Sequence, residues 1–474
     1  MDTKTIQTAL IGNFPHETTN DQQTLFGKIA LFLDKENHSE LFVLRGYAGT
    51  GKTSAIGTLV KCLPMCGYET FLLAPTGRAA KVLTEYSKKQ AFTIHKKIYR
   101  SISNEETSRF MVQPNFHKNT VFIVDEASMI GNSSTSSGFY NERSLLDDLI
   151  GYVFSGTNCK LLLSGDTAQL PPVGLSESPA LDMEYLKENY NKEISGFELK
   201  EVVRQSEKSG ILSIATHLRK QASESSTENL KFQLKNFSDV IRINGTELED
   251  ALNSAYSSYE AENAIVICRS NKRANIFNQQ IRARILWKEN EISAGDQMMV
   301  VKNNYTWLPV NSKAGFIANG DTVELLKVKT IAEMHGFRFA DVSIQLNDYP
   351  DEPVMEVKIL LDTIMSESPA LSSADNKKLY DSVVASYMDV ANKQMRRKLV
   401  KNDPYLNALQ VKFAYAVTCN KSQGGQWKTV FVEQGYLTKE MINTDYLRWL
   451  YTGFTRATEK LFLVNFNADF FEEP

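Results

Sequence analysis

The sequence predicts an α/β protein with two mostly parallel sheets, and three observations lead to this fold class. Short apolar runs of strand length alternate with stretches of helical periodicity. A glycine-rich loop, Gly46–Thr53, follows one of the first apolar runs and precedes a helical stretch. A second series of apolar runs begins near residue 263 and continues to residue 464. Alternating strands and helices favour parallel sheets, and 474 residues are too many for one core, so we expect more than one α/β domain.

The first series supplies the elements of a first domain. Residues 21–33 carry apolar side chains at helical spacing, which predicts a helix before the glycine-rich loop. Further helices are expected at residues 54–61 and 77–86. The short apolar runs predict buried strands at residues 41–44, 69–74, 120–125 and 160–164.

The second series supplies a second domain, interrupted by a segment of different character. Strands are predicted at residues 263–268, 411–417, 429–433 and 461–464. Between the first two, from about 290 to 405, Asn319-Gly320-Asp321 indicates a turn, and residues 322–328 and 337–346 resemble antiparallel strands. Residues 376–400 read as one charged helix. We therefore expect a small β-rich insert within the second domain.

The composition does not identify a binding partner, but it does indicate the cellular compartment that we expect. The net charge of −3 and the pI near 6.2 are not those of a basic nucleic-acid-binding domain. No apolar run approaches the roughly 18 residues of a membrane helix, and the N-terminal residues lack the pattern of a secretory signal. The five cysteines form no metal-ligand pairs, so we expect free thiols in a cytoplasmic protein.

The glycine-rich loop has the residue types and spacing of a phosphate-binding P-loop, Gly-Tyr-Ala-Gly-Thr-Gly-Lys-Thr. Its place between a predicted strand and a predicted helix distinguishes it from a glycine-rich turn without a ligand. The backbone N–H groups of such a loop surround phosphates at a helix N-terminus. Lys52 would reach the β- and γ-phosphates, and the Thr53 hydroxyl would bind Mg²⁺. The sequence thus predicts binding of a nucleoside triphosphate.

A carboxylate pair after a buried strand completes the pattern of an ATPase. Asp125 and Glu126 follow four apolar residues, which places them at the carboxyl end of a strand near the P-loop. Asp125 would hold Mg²⁺, and Glu126 would position or deprotonate the attacking water. Gln169, in the loop after the next strand, is suitably placed to sense the γ-phosphate. Arg204 and Arg456 are each either a surface residue or an arginine that stabilises the transferred phosphoryl group.

In their order along the chain, these segments resemble the motifs of superfamily 1 helicases, in the branch that contains RecD-like, Dda-like and Pif-family enzymes. The resemblance runs from Asp21 to about Val464. Besides the P-loop, it rests on the following segments: Asp21-Gln22, Ala74–Ala80, Asp125–Met129, Gly165–Gly174, Val203-Arg204-Gln205, Thr418–Gly424 and Tyr451–Ala457. The loop Gly165–Gly174 is the most specific to this branch.

The resemblance implies a role for each motif. Gln22 would read the adenine, Pro75 and Thr76 would contact the DNA backbone, and Arg204 and Arg456 would act as arginine fingers. At position 420 the family usually has histidine, and Asn420 can hydrogen-bond but cannot become cationic. His95, after the Ala74–Ala80 motif, is either structural or on the DNA side. The predicted catalytic residues are Lys52, Glu126, Gln169, Arg204 and Arg456; the predicted nucleotide-binding residues are Gln22, Gly49, Thr50, Gly51, Lys52, Thr53, Asp125 and Gly424; Mg²⁺ would be held by Thr53 and Asp125; and DNA would be contacted by Pro75, Thr76, His95, Thr418 and Asn420.

The resemblance also implies the domain organisation. Residues 1–200 would form a first RecA-like motor domain, with an insert at about 87–117 that acts as a pin at the duplex junction. Residues 201–474 would form the second RecA-like domain, and the segment 290–405 would be its SH3-like module. Phe92, Phe110 and Phe116 are either pin residues that stack on a base or residues that pack the insert, and Trp307 is either exposed for stacking or packed.

The expected function is ATP-dependent DNA unwinding by translocation on single-stranded DNA, in the 5′ to 3′ direction by family resemblance. Its partners would be single-stranded DNA and its junctions with duplex, without a membrane or an evident obligate protein partner. DNA repair and DNA recombination are candidate pathways, and replication or a mobile element stays open beside them. Two alternatives stay open. One is a translocase that displaces proteins without separating strands, and the other is a P-loop enzyme indifferent to DNA, such as a small-molecule kinase.

Overall fold

The computed structural model describes residues 2–34, 40–104, 107–132, 144–203, 209–224, 230–259, 261–309, 312 and 314–472. The strands of the first domain are β1 Leu41–Gly46, β2 Glu69–Ala74, β3 Ala91–Thr93, β4 Tyr99–Asn104, β5 Thr107–Val112, β6 Thr120–Val124, β7 Lys160–Gly165 and β8 Ile194–Leu199. Six of them form one sheet of order β3-β2-β6-β7-β1-β8, in which every pair of neighbours is parallel.

Helices cover both faces of this sheet and bury its apolar strands. They are α1 Thr3–Gly12, α2 Asn20–Leu33, α3 Lys52–Cys62, α4 Gly77–Ser87, α5 Ile94–Ile98, α6 Leu145–Phe154 and α7 Met183–Asn189. Side-chain caps fix where the helices begin. Thr19 and Gln22 form a capping box at α2, and the Thr76 hydroxyl accepts a hydrogen bond from the Ala79 N–H at α4.

The predicted insert of the first domain is narrower than residues 87–117. Residues 91–93 form β3, which pairs with β2 at the edge of the sheet, so they belong to the domain itself. The inserted structure is the two-stranded hairpin of β4 and β5, paired from Tyr99 and Val112 to Asn104 and Thr107. The Gln113 N–H donates to the Ile98 carbonyl at 2.8 Å, which closes the base of the hairpin.

The remaining strands form a closed barrel and a second parallel sheet. They are β9 Val240–Ile243, β10 Ala264–Cys268, β11 Asp296–Val300, β12 Thr322–Met334, β13 Phe337–Leu346, β14 Met355–Leu360, β15 Leu409–Phe413, β16 Ala416–Thr418, β17 Trp427–Glu433 and β18 Ala457–Val464. The helices are α8 Gly210–Ser223, α9 Leu248–Ser258, α10 Asn271–Gln280, α11 Ser373–Ala385, α12 Lys393–Lys401, α13 Cys419–Ser422 and α14 Thr444–Phe454. The sheet has the order β16-β10-β17-β18-β9, and the barrel consists of β11 to β15. This small barrel fits the predicted SH3-like insert.

Two predicted elements of the second half are wrong in their extent. Residues 411–417 were expected as one strand, but the chain leaves the barrel at Phe413 and enters the sheet at Ala416. The Asn278 amide holds this break, because it donates to the carbonyls of Phe413 (3.3 Å) and Ala416 (2.9 Å) and accepts from the Ala416 N–H. The single helix expected at 376–400 is two helices, since Asn392 caps the start of α12.

The aromatic alternatives are partly decided by packing. Phe92 stacks on Phe71 with ring centroids 5.5 Å apart, so it belongs to the core. Phe116 is 86% exposed but follows the hairpin, and the side chain of Phe110 lies outside the described part of the structure. The Trp307 indole is packed and donates to the Asn407 carbonyl at 2.8 Å. The five cysteines are free thiols, as predicted, and only Cys66 among them is not buried.

Candidate functional site

The P-loop lies at the carboxyl end of β1 and turns directly into α3. Gly51 caps the helix with a φ of 85°, and Lys52 is the first helical residue. The Lys52 ammonium lies on the loop, where it donates to the carbonyls of Gly46 and Tyr47, the latter at 3.2 Å. Thr53 is exposed on the first turn. Strand, loop and helix therefore have the arrangement that the sequence predicted for a phosphate site.

Gln22 ties the start of α2 to the P-loop. Its side chain is buried, its amide nitrogen donates to the Thr50 carbonyl at 3.2 Å, and its amide oxygen accepts from the Thr19 N–H at 3.0 Å. The residue is thus beside the nucleotide site, where it both caps a helix and supports the loop. Its contact with adenine stays a prediction.

The carboxylate pair lies at the end of β6. Asp125 accepts hydrogen bonds from the Ser164 hydroxyl at 2.9 Å and from the Tyr86 hydroxyl, so both of its oxygens are oriented. Glu126 has a φ of 54°, in the left-handed region. Burial raises the pKa of Glu126, and the guanidinium of Arg456 opposes that shift. A carboxylate with a raised pKa is a better proton acceptor, which suits the predicted role.

Arg456 brings the second domain to this carboxylate. Its side chain is buried and 3.8 Å from Glu126 Oε1. Three of its donors are used within its own domain, on the carbonyls of Thr452 (3.0 Å) and Gly425 (3.2 Å) and the Thr455 hydroxyl (3.2 Å). These hydrogen bonds fix the orientation of the guanidinium within its own domain, so that it faces the cleft in a set position. Arg204, the other predicted finger, lies outside the described residues.

The loop after β7 is held by the second domain at Leu170, the residue that follows Gln169. The Leu170 N–H donates to the Thr452 hydroxyl at 2.8 Å, and the Gln423 amide donates to the Leu170 carbonyl at 2.7 Å. Gln169 itself is buried, and within the described structure its amide oxygen has no hydrogen-bond partner. A buried amide oxygen without a partner is costly, so this side chain is suited to a ligand or a water in the cleft.

The predicted DNA residue Thr76 meets the segment around Gly424. A Cβ at Gly424, whose φ is 72°, would lie 2.7 Å from the Ala79 Cβ and 3.3 Å from the Thr76 hydroxyl. Only glycine permits this approach. The structure thus places Gly424 against the start of α4, beside Pro75 and Thr76. The nucleotide contact expected of Gly424 has no support in this geometry and stays a prediction.

The other predicted DNA residues lie in different surroundings. Thr418 precedes the short helix α13 at the carboxyl end of β16, and Asn420 is exposed on that helix. Burial lowers the pKa of His95 to about 4, so its ring, which lies near Tyr99, is neutral at pH 7. Any phosphate contact of His95 would therefore use a neutral imidazole.

The barrel also touches the first domain, next to Pro75 and Thr76. Asp321 of the Asn319-Gly320-Asp321 turn is buried and 3.8 Å from the Lys96 ammonium. A Cβ at Gly77 would lie 2.2 Å from Asp321 Oδ1, so the barrel sits directly on the start of α4. Asp348 lies 3.8 Å from Lys81 of the same helix. Burial raises the pKa of Asp321 to about 6, although Lys96 lowers it.

Several residues of the cleft were missed from the sequence. Tyr451, Thr452, Gln423 and Asp166 lie inside recognised motifs, and the signal was their position next to residues already chosen. Tyr86 is different, because it lies 39 residues before its partner Asp125 and outside every motif, so no local pattern points to it.

The arrangement can hold a triphosphate and promote attack on it. An ammonium, a guanidinium and a carboxylate with a raised pKa converge between the two sheets, where charge develops during phosphoryl transfer. No group of three or more His, Cys, Asp and Glu side chains suited to a metal occurs among the described residues. The donors present, the Thr53 hydroxyl and the Asp125 carboxylate, fit Mg²⁺ held jointly with phosphates. No helix in the described ranges could span a bilayer.

Comparisons with known proteins agree with this arrangement. A model described as an AAA domain matches residues 20–236, and one described as a UvrD-like helicase C-terminal domain matches residues 413–464, so the two together cover more than half of the chain. The uncharacterized protein R530 of Acanthamoeba polyphaga mimivirus is 24% identical over 93% of this chain and 98% of its own length. The ATP-dependent DNA helicase dda of Enterobacteria phage T4 is 24% identical over 66% of this chain and 68% of its own. The ATP-dependent RecD2 DNA helicase of Deinococcus radiodurans is 33% identical over 30% of this chain and 18% of its own.

Proposed function

Because the chain belongs to the superfamily 1 DNA helicases, in the branch of RecD-like, Dda-like and Pif-family enzymes, we propose that it moves 5′ to 3′ on single-stranded DNA and thereby unwinds duplex. It is an ATP-dependent enzyme of this class. The direction, the roles of individual residues and the use of Mg²⁺ are the parts that we propose.

One observation carries the proposal, which is the approach of Arg456 to Glu126. The carboxylate belongs to the first domain and the guanidinium to the second, and 3.8 Å separates them. An arginine that reaches a catalytic carboxylate across a domain interface makes hydrolysis depend on closure of the cleft. Coupling of this kind is what a motor requires and what an isolated P-loop enzyme does not.

Hydrolysis would follow from the groups around the P-loop. Lys52 would leave the carbonyls of its own loop to bind the β- and γ-phosphates, and Arg456 would stabilise the charge that develops on the γ-phosphate. Glu126 would accept a proton from the attacking water. Gln169 would orient that water or the γ-phosphate through its amide, whose oxygen has no partner among the described residues. We assign Arg204 to the same cleft from the family motif alone.

Mg²⁺ would be held by the Thr53 hydroxyl and the Asp125 carboxylate, and would neutralise charge on the phosphates. Ser164 and Tyr86 orient the carboxylate for this role, since each donates to one of its oxygens.

DNA would cross the carboxyl edges of both sheets. Pro75 and Thr76 follow β2 in the first sheet, while Thr418 is the last residue of β16 in the second. Contacts to the phosphate backbone are independent of sequence, and hydroxyl and backbone N–H groups can make them as well as Lys and Arg, so they are compatible with the net charge of −3. Closing and opening of the cleft would alternate the grip at these two places. The hairpin of β4 and β5 would separate the strands at the junction. Asn420 would contribute a hydrogen bond rather than a charge.

The direction is tested with duplexes that carry a single-stranded tail at either the 5′ or the 3′ end. We expect ATP-dependent unwinding of the 5′-tailed duplex and little of the 3′-tailed one. Preference for the 3′-tailed duplex would contradict the direction while leaving the helicase activity intact. Movement along single strands without unwinding of either substrate would favour the alternative, a translocase that displaces bound proteins.

A further inference from the structure

The hydroxyl of Tyr451 lies where the second domain meets two loops of the first. One is the P-loop, and the other is the loop after β7, residues 166–174, which we call the Gln169 loop. Tyr451 lies on α14 in the second domain, one residue before Thr452. Its hydroxyl oxygen accepts a hydrogen bond from the Ala48 N–H of the P-loop at 2.8 Å. The same hydroxyl lies 2.6 Å from Asp166 Oδ2, at the start of the Gln169 loop. One side chain of the second domain therefore bridges two loops of the first.

The directions of these two hydrogen bonds follow from their partners. A backbone N–H can only donate, and an ionised carboxylate can only accept, so the Tyr451 hydroxyl accepts from Ala48 and donates its proton to Asp166. Burial, and then the Asp166 charge, raise the pKa of Tyr451 well above its ordinary value. The hydroxyl thus keeps its proton at neutral pH, and the hydrogen bonds run in one direction, from Ala48 to Tyr451 and from Tyr451 to Asp166.

Asp166 passes this constraint to Gln169. Asp166 is 1% exposed, and its second oxygen accepts from the Ala168 N–H at 2.9 Å. The Gln169 N–H in turn donates to the Asp166 carbonyl at 3.3 Å. The turn that carries Gln169 is therefore fixed to a carboxylate whose other oxygen is fixed to Tyr451.

We propose that Tyr451 is a positioning residue that sets the Gln169 loop relative to the P-loop when the second domain closes on the first. Its hydroxyl is engaged by Ala48 and Asp166, so it acts on the site through Asp166 and Gln169. The inference rests on the proposed function in that Gln169 is taken to face the γ-phosphate. It makes hydrolysis depend on a contact between the domains that is separate from the one made by Arg456.

The test is Tyr451→Phe, which removes the hydroxyl and keeps the ring. The matched control is Tyr446→Phe on the same helix, whose ring is also buried and packs on Trp449 and Phe470 rather than in the cleft. We expect Tyr451→Phe to lower the kcat of ATP hydrolysis by on the order of 10- to 100-fold, the effect of one hydrogen bond to a buried charge. The KM for ATP should stay close to that of the control, whereas the melting temperature should fall, because the buried Asp166 carboxylate and the Ala48 N–H lose a partner.

A double-mutant cycle separates positioning from a merely structural role. If Tyr451 acts through Asp166, Asp166→Asn and Tyr451→Phe together should lower kcat no more than the stronger single change. A kcat of Tyr451→Phe equal to that of the control, or effects that multiply in the double variant, would overturn the inference. Each variant is compared with the wild-type ATP turnover, so a wild type that ignores DNA would refute the proposed function and leave this comparison readable.

Discussion

Replacement of Arg456 by alanine tests whether the second domain completes the ATP site. The guanidinium is 4% exposed and lies 3.8 Å from Glu126 Oε1. Arginine fingers contribute on the order of 10³-fold or more to phosphoryl transfer, which corresponds to about 4 kcal/mol of transition-state stabilisation. We therefore expect Arg456→Ala to slow hydrolysis at least about 10³-fold, with a much smaller effect on ATP affinity.

The same side chain also has a structural role, which the experiment has to separate. Alanine leaves the buried carbonyls of Thr452 and Gly425 without their donor, at a cost of about 1–3 kcal/mol each. That loss appears in the melting temperature, whereas the loss of transition-state stabilisation appears in kcat. Arg456→Lys keeps a charge beside Glu126 but loses the planar fork, so its kcat should fall between those of alanine and wild type.

The assay combines single-turnover ATP hydrolysis, titration with a fluorescent nucleotide and thermal unfolding for all three proteins. A folded Arg456→Ala that binds nucleotide and hydrolyses it within about tenfold of wild type would refute the finger role, since it would leave less than about 1.4 kcal/mol to this residue.

Three further predictions concern the barrel and the hairpin. Replacing residues 100–111 by a short glycine-serine linker should abolish unwinding and preserve ATP turnover on single strands, because the Gln113 to Ile98 hydrogen bond already closes the base; unchanged unwinding would exclude the hairpin as the pin. Gly77→Ala should lower the free energy of unfolding by about 1–3 kcal/mol, because the added Cβ would clash with the Asp321 carboxylate. The same change should cost little in an Asp321→Ala background. Thermal unfolding measures both effects, and Gly151→Ala, which adds a Cβ in open space, is the control. With a folded pKa of about 6 against roughly 3.9 unfolded, Asp321 contributes up to about 3 kcal/mol that is fully present below pH 4 and is lost as the pH rises through 6. The unfolding free energy of Asp321→Asn should accordingly change less than that of wild type between pH 4 and pH 7, and equal changes would contradict this.

The sequence predicts those strands that have a continuous or alternating apolar pattern along their whole length. The strands β2 and β13 coincide with the predicted residues 69–74 and 337–346, because a fully or alternately apolar run fixes both ends. The edge strands β3 and β8 were missed, since one has three residues and the other is only half-buried. The break between β15 and β16 depends on Asn278, which lies 138 residues before Ala416, and no local pattern reports such a contact.

The candidate site likewise contains residues that the sequence predicts and contacts that it does not predict. Motif spacing made Lys52, Asp125 and Glu126 candidates, because phosphate chemistry dictates residue types at short range, whereas Arg456 is favoured as an arginine finger only through the family resemblance. The bridge from Tyr451 to Asp166 spans 285 residues and exists only once both domains are folded. The position of Gly424 against Ala79 likewise depends on how the domains pack, and the motif alone had assigned this glycine to the nucleotide.

The rate of ATP hydrolysis with and without single-stranded DNA tests most directly whether this cleft belongs to a DNA motor. If Arg456, the Gln169 loop and the predicted DNA contacts Thr76 and Thr418 belong to one motor, a single-stranded oligonucleotide should raise kcat many-fold at saturating ATP. The stimulation should weaken as salt rises, since backbone contacts release counterions. A rate that stays the same at every oligonucleotide concentration would contradict the central claim that ATP hydrolysis in this cleft drives movement on DNA.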